Sequence, residues 1–270
     1  MSFNVLASSL GALANAEGEG HFPPTPEVFW QPLFTVSGVT VTRSMVVILL
    51  SVALLSWWLI ATTRKAAIVP SKGQWFTEQV YNFVRNDMAK DMIGTKDFLR
   101  FVPLLFSIFL LILANNWFGV LPPIQMPTFS RIGYPIALTL VVYVVYHAIG
   151  FQKHGVAGYF KFLLPAGLPG WIKPFILLLE VINFFITRPL TLALRLFGNM
   201  FAGHLLLVVF IVGGHELFLS DGIALKFVAI PAWILAFIFT LFEALVQFLQ
   251  AYVFTLLAAS YIGGALVDEH

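Results

Sequence analysis

Within the apolar run from about Trp171 to Val212 stand two arginines, Arg188 and Arg195, with Asn199 and His204 close behind. A cation at bilayer depth costs about 2.5–3.5 kcal/mol on insertion scales. Arginine cannot escape that cost by deprotonating, because its pKa lies above about 12. Either the chain needs a permanent positive charge at Arg195, or this segment does not lie in lipid. Composition favours the first. Only 10% of the residues are charged, against roughly 25% in a soluble domain. Hydrophobic residues make up 59% and the mean hydropathy is +0.90, which together read as an integral membrane protein. Cysteine is absent, so disulfides and thiolate metal sites are excluded. A net charge of +2 is too small to serve as a nucleic-acid footprint.

The remaining apolar runs set the topology. Residues 1–40 are mixed in character, with Pro23, Pro24, Pro26 and Pro32, and read as an irregular external arm. Val5 to Ala16 is weakly apolar but lacks the basic flank of a signal peptide. A first membrane helix is expected over 41–64, with Trp57 and Trp58 near its end and Arg64, Lys65 and Lys72 just beyond. The positive-inside rule puts that end in the cytoplasm and the N-terminus outside. Over 73–93, Trp75, Phe76, Val80, Phe83 and Val84 recur at helical spacing, opposite Glu78 and Arg85. This predicts an amphipathic helix on the cytoplasmic surface, whose pattern fades after Asn86. Further membrane helices are expected over 97–121, its far end marked by Asn115, Asn116 and Trp117, and over 134–152, with Lys153, His154 and Lys161 just beyond.

Two long segments come next, 171–213 and 222–263. Each would be roughly 60 Å long as a helix, about twice the hydrocarbon thickness. Neither has a polar turn in its middle, which predicts a hairpin of two strongly tilted helices. The connector from Gly213 to Gly222 carries Glu216 and Asp221 and no Lys or Arg, as suits an external loop. The tail 264–270 then falls in the cytoplasm. The expected fold is all-α, with about five membrane helices and one surface helix.

At about 100° per residue, Glu180, Asn183, Thr187, Arg188, Thr191, Arg195 and Asn199 share one polar stripe. Gly198 and Ala202 lie on the same side and let another helix come close. His204 falls off the stripe. Glu243, Gln247 and Gln250, spaced by four and three, occupy one face of the last helix and can reach His204 and Asn199. Arg195 has no acid at i±3 or i±4. Its partner is then Glu180, Glu243 or a carboxylate on another subunit, and the small residues beside it favour the last. Two polar paths emerge. One enters from outside past His215, Glu216 and Asp221 to His204, Glu243, Asn199 and Gln250. The other enters from the cytoplasm past Glu180, Asn183, Thr187 and Arg188. Arg195 stands between them. A fixed cation repels a free ion, so an ion crosses only by riding on something that moves past it. His and Glu suit proton relay, since the pKa values of such side chains can be tuned near neutrality.

LALRLFGNMFAGH (192–204), EALVQFLQAYVFTLL (243–257) and LILANNWFGVLP (111–122) resemble the subunit a family of the F-type ATP synthase, and the span pattern fits from about residue 40 onward. The resemblance implies a stator in the bacterial plasma membrane, facing a c-ring whose carboxylate meets Arg195. It implies two offset half-channels and a bound subunit b peripheral stalk within the rest of the F-type complex. Asn199 and Gln250 match residues of the external half-channel, His204 and Glu243 a coupled pair within it, and Glu180 an acid of the cytoplasmic one. It implies proton transport for ATP synthesis, with no catalytic site, cofactor or metal on this chain. Two other readings are an intramembrane protease, which lacks any G-x-S-x-G or His-Glu-x-x-His here, and a stand-alone transporter or respiratory-complex subunit, for which no inverted repeat is visible.

Overall fold

The computed structural model describes residues 32–36, 39–64, 67–121, 125–164 and 169–267. Most of the expected N-terminal arm, including the weakly apolar Val5–Ala16, and the last three residues of the tail lie outside these. Where the arm is described it is ordered as a ribbon. Strand β1 (Pro32–Val36) pairs antiparallel with β2 (Val39–Thr42), in register Thr35↔Thr40 and Val36↔Val39. The alternating Val and Thr of β2 favour this extended form. Pro32 stands at a strand start, where no ladder N–H is needed.

The rest is helical. Five helices among the described residues are long and apolar enough to cross a membrane. The first, α1 (Arg43–Thr63), is peripheral, with Ser44, Val47 and Ser51 its buried residues. It is fastened by Asn115, whose side-chain amide donates to the Ser51 hydroxyl at 2.8 Å. Helix α2 (Lys72–Asn82) is the amphipathic one. Its N-cap Ser71 accepts from the Gln74 amide, while Trp75 and Phe76 stay exposed.

Beyond Asn82 the backbone changes to a π-helix, Phe83–Lys90, closed by a short α-turn, Asp91–Ile93. The fading apolar pattern has its cause here. A π-helix bonds i to i+5, so a 3.6-residue period drifts off the buried face. Val84, Met88 and Ala89 remain fully buried. This half of the segment packs into the bundle, with Phe83 against Phe109 and stacked on Tyr252.

Helix α3 (Phe98–Val120) is central, and Val102, Leu105, Ile108, Phe109 and Ile112 belong to the main core. Helix α4 (Gly133–Phe162) is interrupted at Gly155, where φ is 69° and ψ 170°. Glycine reaches that conformation without a Cβ clash, and the chain folds back. Tyr159 thereby packs against Gly150, and its hydroxyl meets His147 Nδ1 at 2.9 Å.

The last two segments form the predicted hairpin. Helix α5 (Lys173–Ile182) runs through a π-turn (Asn183–Thr187) into α6 (Arg188–Leu219), and α7 (Ile223–Leu266) returns. The partners are antiparallel: Gly214 against Trp233, His204 with Glu243, Asn199 with Gln250, Arg188 by Tyr261. The connector is shorter than its composition indicates. Gly213 and Gly214 continue the helix, because Gly214 lets the Trp233 indole lie against the backbone. At the other end of α7, Lys153 donates to the Leu266 carbonyl. His154 Nε2 lies 3.2 Å from the Ala265 carbonyl. Both side chains satisfy carbonyls that a helix terminus leaves open.

Candidate ion-translocation site

Helix α6 has two faces of different character. Leu192, Ala193, Leu196, Met200, His204 and Leu207 are buried against the bundle. Leu190, Thr191, Leu194, Arg195, Asn199, Ala202 and Leu206 are exposed. Arg195 therefore points out of the bundle. It forms no ion pair with any described residue, Glu180 and Glu243 included. On the adjoining face of α7, Leu241, Phe242, Leu245 and Leu249 are likewise exposed. The arginine thus projects from an apolar surface into which the described residues offer no counter-charge.

Behind that surface lies a buried polar string. His204 Nδ1 and Glu243 Oε1 are 2.9 Å apart, and both side chains are about 5% exposed. The Gln247 amide donates to the same Glu243 oxygen at 3.3 Å and lies 3.3 Å from the Met200 sulfur. Asn116, from α3, donates to the Gln247 backbone carbonyl at 3.0 Å. Nearer the exposed face, the Asn199 amide donates to Gln250 Oε1 at 2.7 Å. Four atoms in this string are buried without a hydrogen-bond partner among the described residues: Asn116 Oδ1, Glu243 Oε2, Gln247 Oε1 and Gln250 Nε2. A cavity of about 180 Å³ between α6 and α7, lined in part by Asn199, Gly203 and Glu243, joins the string to the exposed face.

Glycines make room for it. A Cβ on Gly203 would stand 2.9 Å from Glu243 Oε1. One on Gly119 would stand 2.7 Å from the Met200 methyl and 3.2 Å from the His204 ring. The acid and imidazole are held face to face because these two positions carry no side chain.

The residues expected on the cytoplasmic path are placed less uniformly. A single stripe from Glu180 to Asn199 presumes a continuous α-helix, and the π-turn at Asn183–Thr187 breaks it. One extra residue in the turn rotates the helix before it by about 100° relative to the helix after it. Glu180 and Asn183 are half-buried and Thr187 is exposed. Arg188 forms no ion pair with Glu180. Its guanidinium carbon sits 3.4 Å from the Phe184 ring centre and 5.1 Å from that of Tyr261, a cation–π arrangement. Of the residues expected at the external entrance, His215 and Glu216 are exposed in the last turns of α6 and Asp221 in the connector. The structure does not join these three to His204 through any hydrogen bond among described residues.

Asn116, Met200, Gly119 and Gly203 escape the sequence reading. Asn115 and Asn116 look like an interfacial helix end, yet both are fully buried. The available signal was a pair of amides ahead of Trp117, on the apolar rather than the polar side of the boundary.

Residues 44–263 match the family described as ATP synthase A chain. The chain belongs to this family. It is similar to the ATP synthase subunit a of Nocardioides sp., with 44% identity over 94% of this chain and 96% of the relative. The subunit a of Pseudarthrobacter chlorophenolicus is 44% identical over 85% and 86%. That of Rhodococcus erythropolis is 34% identical over 97% and 96%.

Proposed function

We propose that this chain is the stationary membrane subunit of a rotary ATP synthase, carrying protons between the two sides of the membrane and a moving ring of c subunits. Family membership supports the assignment to the membrane sector of the ATP synthase. The arrangement around Arg195 is the observation that carries the rest. It is a permanent cation on the exposed face of a membrane helix, without an ion pair among the described residues, beside a buried acid–imidazole pair.

In this reading a proton enters from outside and reaches Glu243 and His204. Glu243 accepts it on the free Oε2, while Oε1 is held by His204 and Gln247. Neutralisation lets the proton pass to the surface by Asn199 and Gln250, where a ring carboxylate takes it. The partnerless buried atoms support a hydrated path, since buried polar groups are normally satisfied by protein or water. Arg195 draws the deprotonated ring carboxylate and repels a free proton, so no proton crosses without moving the ring. Each charge passing down 100 mV makes about 2.3 kcal/mol available. Glu180, Asn183 and Thr187 line the second path, toward the cytoplasm. His215, Glu216 and Asp221 stand at the external entrance. The N-terminus lies outside and the C-terminus in the cytoplasm of a bacterial plasma membrane, with subunit b bound alongside.

Arg195→Ala in the assembled complex tests the reading. ATP-driven proton pumping into membrane vesicles is expected to vanish while the subunits still co-purify. Normal coupled pumping by that variant would remove the proposal.

A further inference from the structure

The π-turn at Asn183–Thr187 leaves one backbone carbonyl without a backbone donor. In an α-helix the Arg188 amide would reach the Phe184 carbonyl. Here it donates to Asn183 instead, one residue further back. The next amide along belongs to position 189, and Pro189 has no N–H. The Phe184 carbonyl is thus cut off from both backbone donors within reach. An unsatisfied carbonyl is costly inside a membrane protein. Tyr146 reaches it from α4, its hydroxyl donating to that carbonyl over 2.8 Å. Tyr146 is 2% exposed, so its hydroxyl needs a partner just as much. The Arg188 guanidinium, meanwhile, covers the ring of the same Phe184. Carbonyl and ring are both held at the point where the helix changes register between Glu180 and Arg195.

We infer that Tyr146 is a positioning residue for the ion path: by binding the Phe184 carbonyl it fixes the rotation of the Glu180-bearing segment against the Arg195-bearing helix. The inference rests on the assignment of Glu180 and Arg195 to that path. Without the hydroxyl, the turn satisfies its free carbonyl by shifting toward α-helical bonding, with the Arg188 amide returning to Phe184. The segment ahead of it then turns by as much as one residue's rotation, about 100°. Glu180 leaves its place while Arg195, beyond the turn, keeps its own.

The test is ATP-driven proton pumping by the whole complex carrying Tyr146→Phe, Pro189→Ala, both, or Arg195→Ala. Tyr146→Phe deletes one hydroxyl and is expected to lower pumping by roughly tenfold. Pro189→Ala returns a backbone N–H next to the free carbonyl. Alone it is expected to leave pumping near wild type, and combined with Tyr146→Phe to restore most of the loss. A merely space-filling tyrosine would show no such rescue. Wild-type pumping by Tyr146→Phe, or a loss that Pro189→Ala does not repair, overturns the inference. If Tyr146→Phe fails to assemble, the double variant decides: recovered assembly and pumping support it, and continued failure overturns it. Arg195→Ala separates the two levels. Normal pumping there removes the ion-path reading itself, whereas a dead Arg195→Ala beside a normal Tyr146→Phe removes this inference alone.

Discussion

The His204–Glu243 pair depends on what its neighbours lack. Gly203 sits where any Cβ would press on the Glu243 carboxylate. Gly203→Val is expected to displace that carboxylate from the imidazole and to cut passive proton conductance through the membrane sector at least tenfold, measured on vesicles stripped of the catalytic sector. Glu243→Gln removes the group proposed to take the proton while keeping its shape. It is expected to abolish the same conductance with assembly preserved. Both changes act on residues that no charge pattern would mark as equal. Glu243 is conspicuous in an apolar helix, whereas Gly203 is one small residue among several. The acid and the histidine were legible in the sequence because buried charge is costly. The glycine's role was not, because it is defined by a neighbour on another helix, far away along the chain.

At the level of elements, the long apolar helices arise from their composition, and the places where periodicity misleads are the two π-helical stretches. The first, Phe83–Lys90, spans the point where the apolar pattern fades, and the second, Asn183–Thr187, interrupts what reads as one unbroken polar stripe. A change of winding shifts the buried face without changing which residue types are used. Sequence spacing alone therefore misplaces that face. The turn at Asn183–Thr187 holds one residue more than an α-helix needs. Deleting a residue within it is expected to be tolerated far better than deleting one between Thr191 and Arg195, which would swing Arg195 by about 100°. Assembly and ATP-driven pumping of the two deletions would tell. Packing makes a parallel demand at the far end of α7, where the Gly263 backbone lies against the Met92 carbonyl. Gly263→Leu is expected to lower stability by about 1–3 kcal/mol, as overpacking does. Thermal denaturation of the purified complex measures it.

Taken whole, the molecule is packed on one side and bare on another. Helix α3 and the second half of α7 carry most of the core, while α1 and the outer faces of α6 and α7 bury little. The membrane class and the hairpin were readable from hydropathy and connector charge. The ribbon at β1–β2 and the buried π-helical half of the amphipathic segment were not, since the first rests on backbone pairing between two short strands and the second on packing against Phe109 and Tyr252. The bare face of α6 is where the proposal places the ring. Thr191→Trp, one turn from Arg195 and pointing outward, is expected to leave the subunit inserted but to lose the ring on purification. Retention of the ring at wild-type stoichiometry would count against that surface. The exposed Arg195 also bears on how such a complex is built. On the proposed reading, until a carboxylate arrives from another subunit, the newly inserted chain holds a charge on a membrane helix that no described residue neutralises. Its lone state is therefore the less stable one. In the proposed complex, docking supplies the counter-ion, so the arginine proposed to govern ion flow would also make the subunit's persistence conditional on finding its partner.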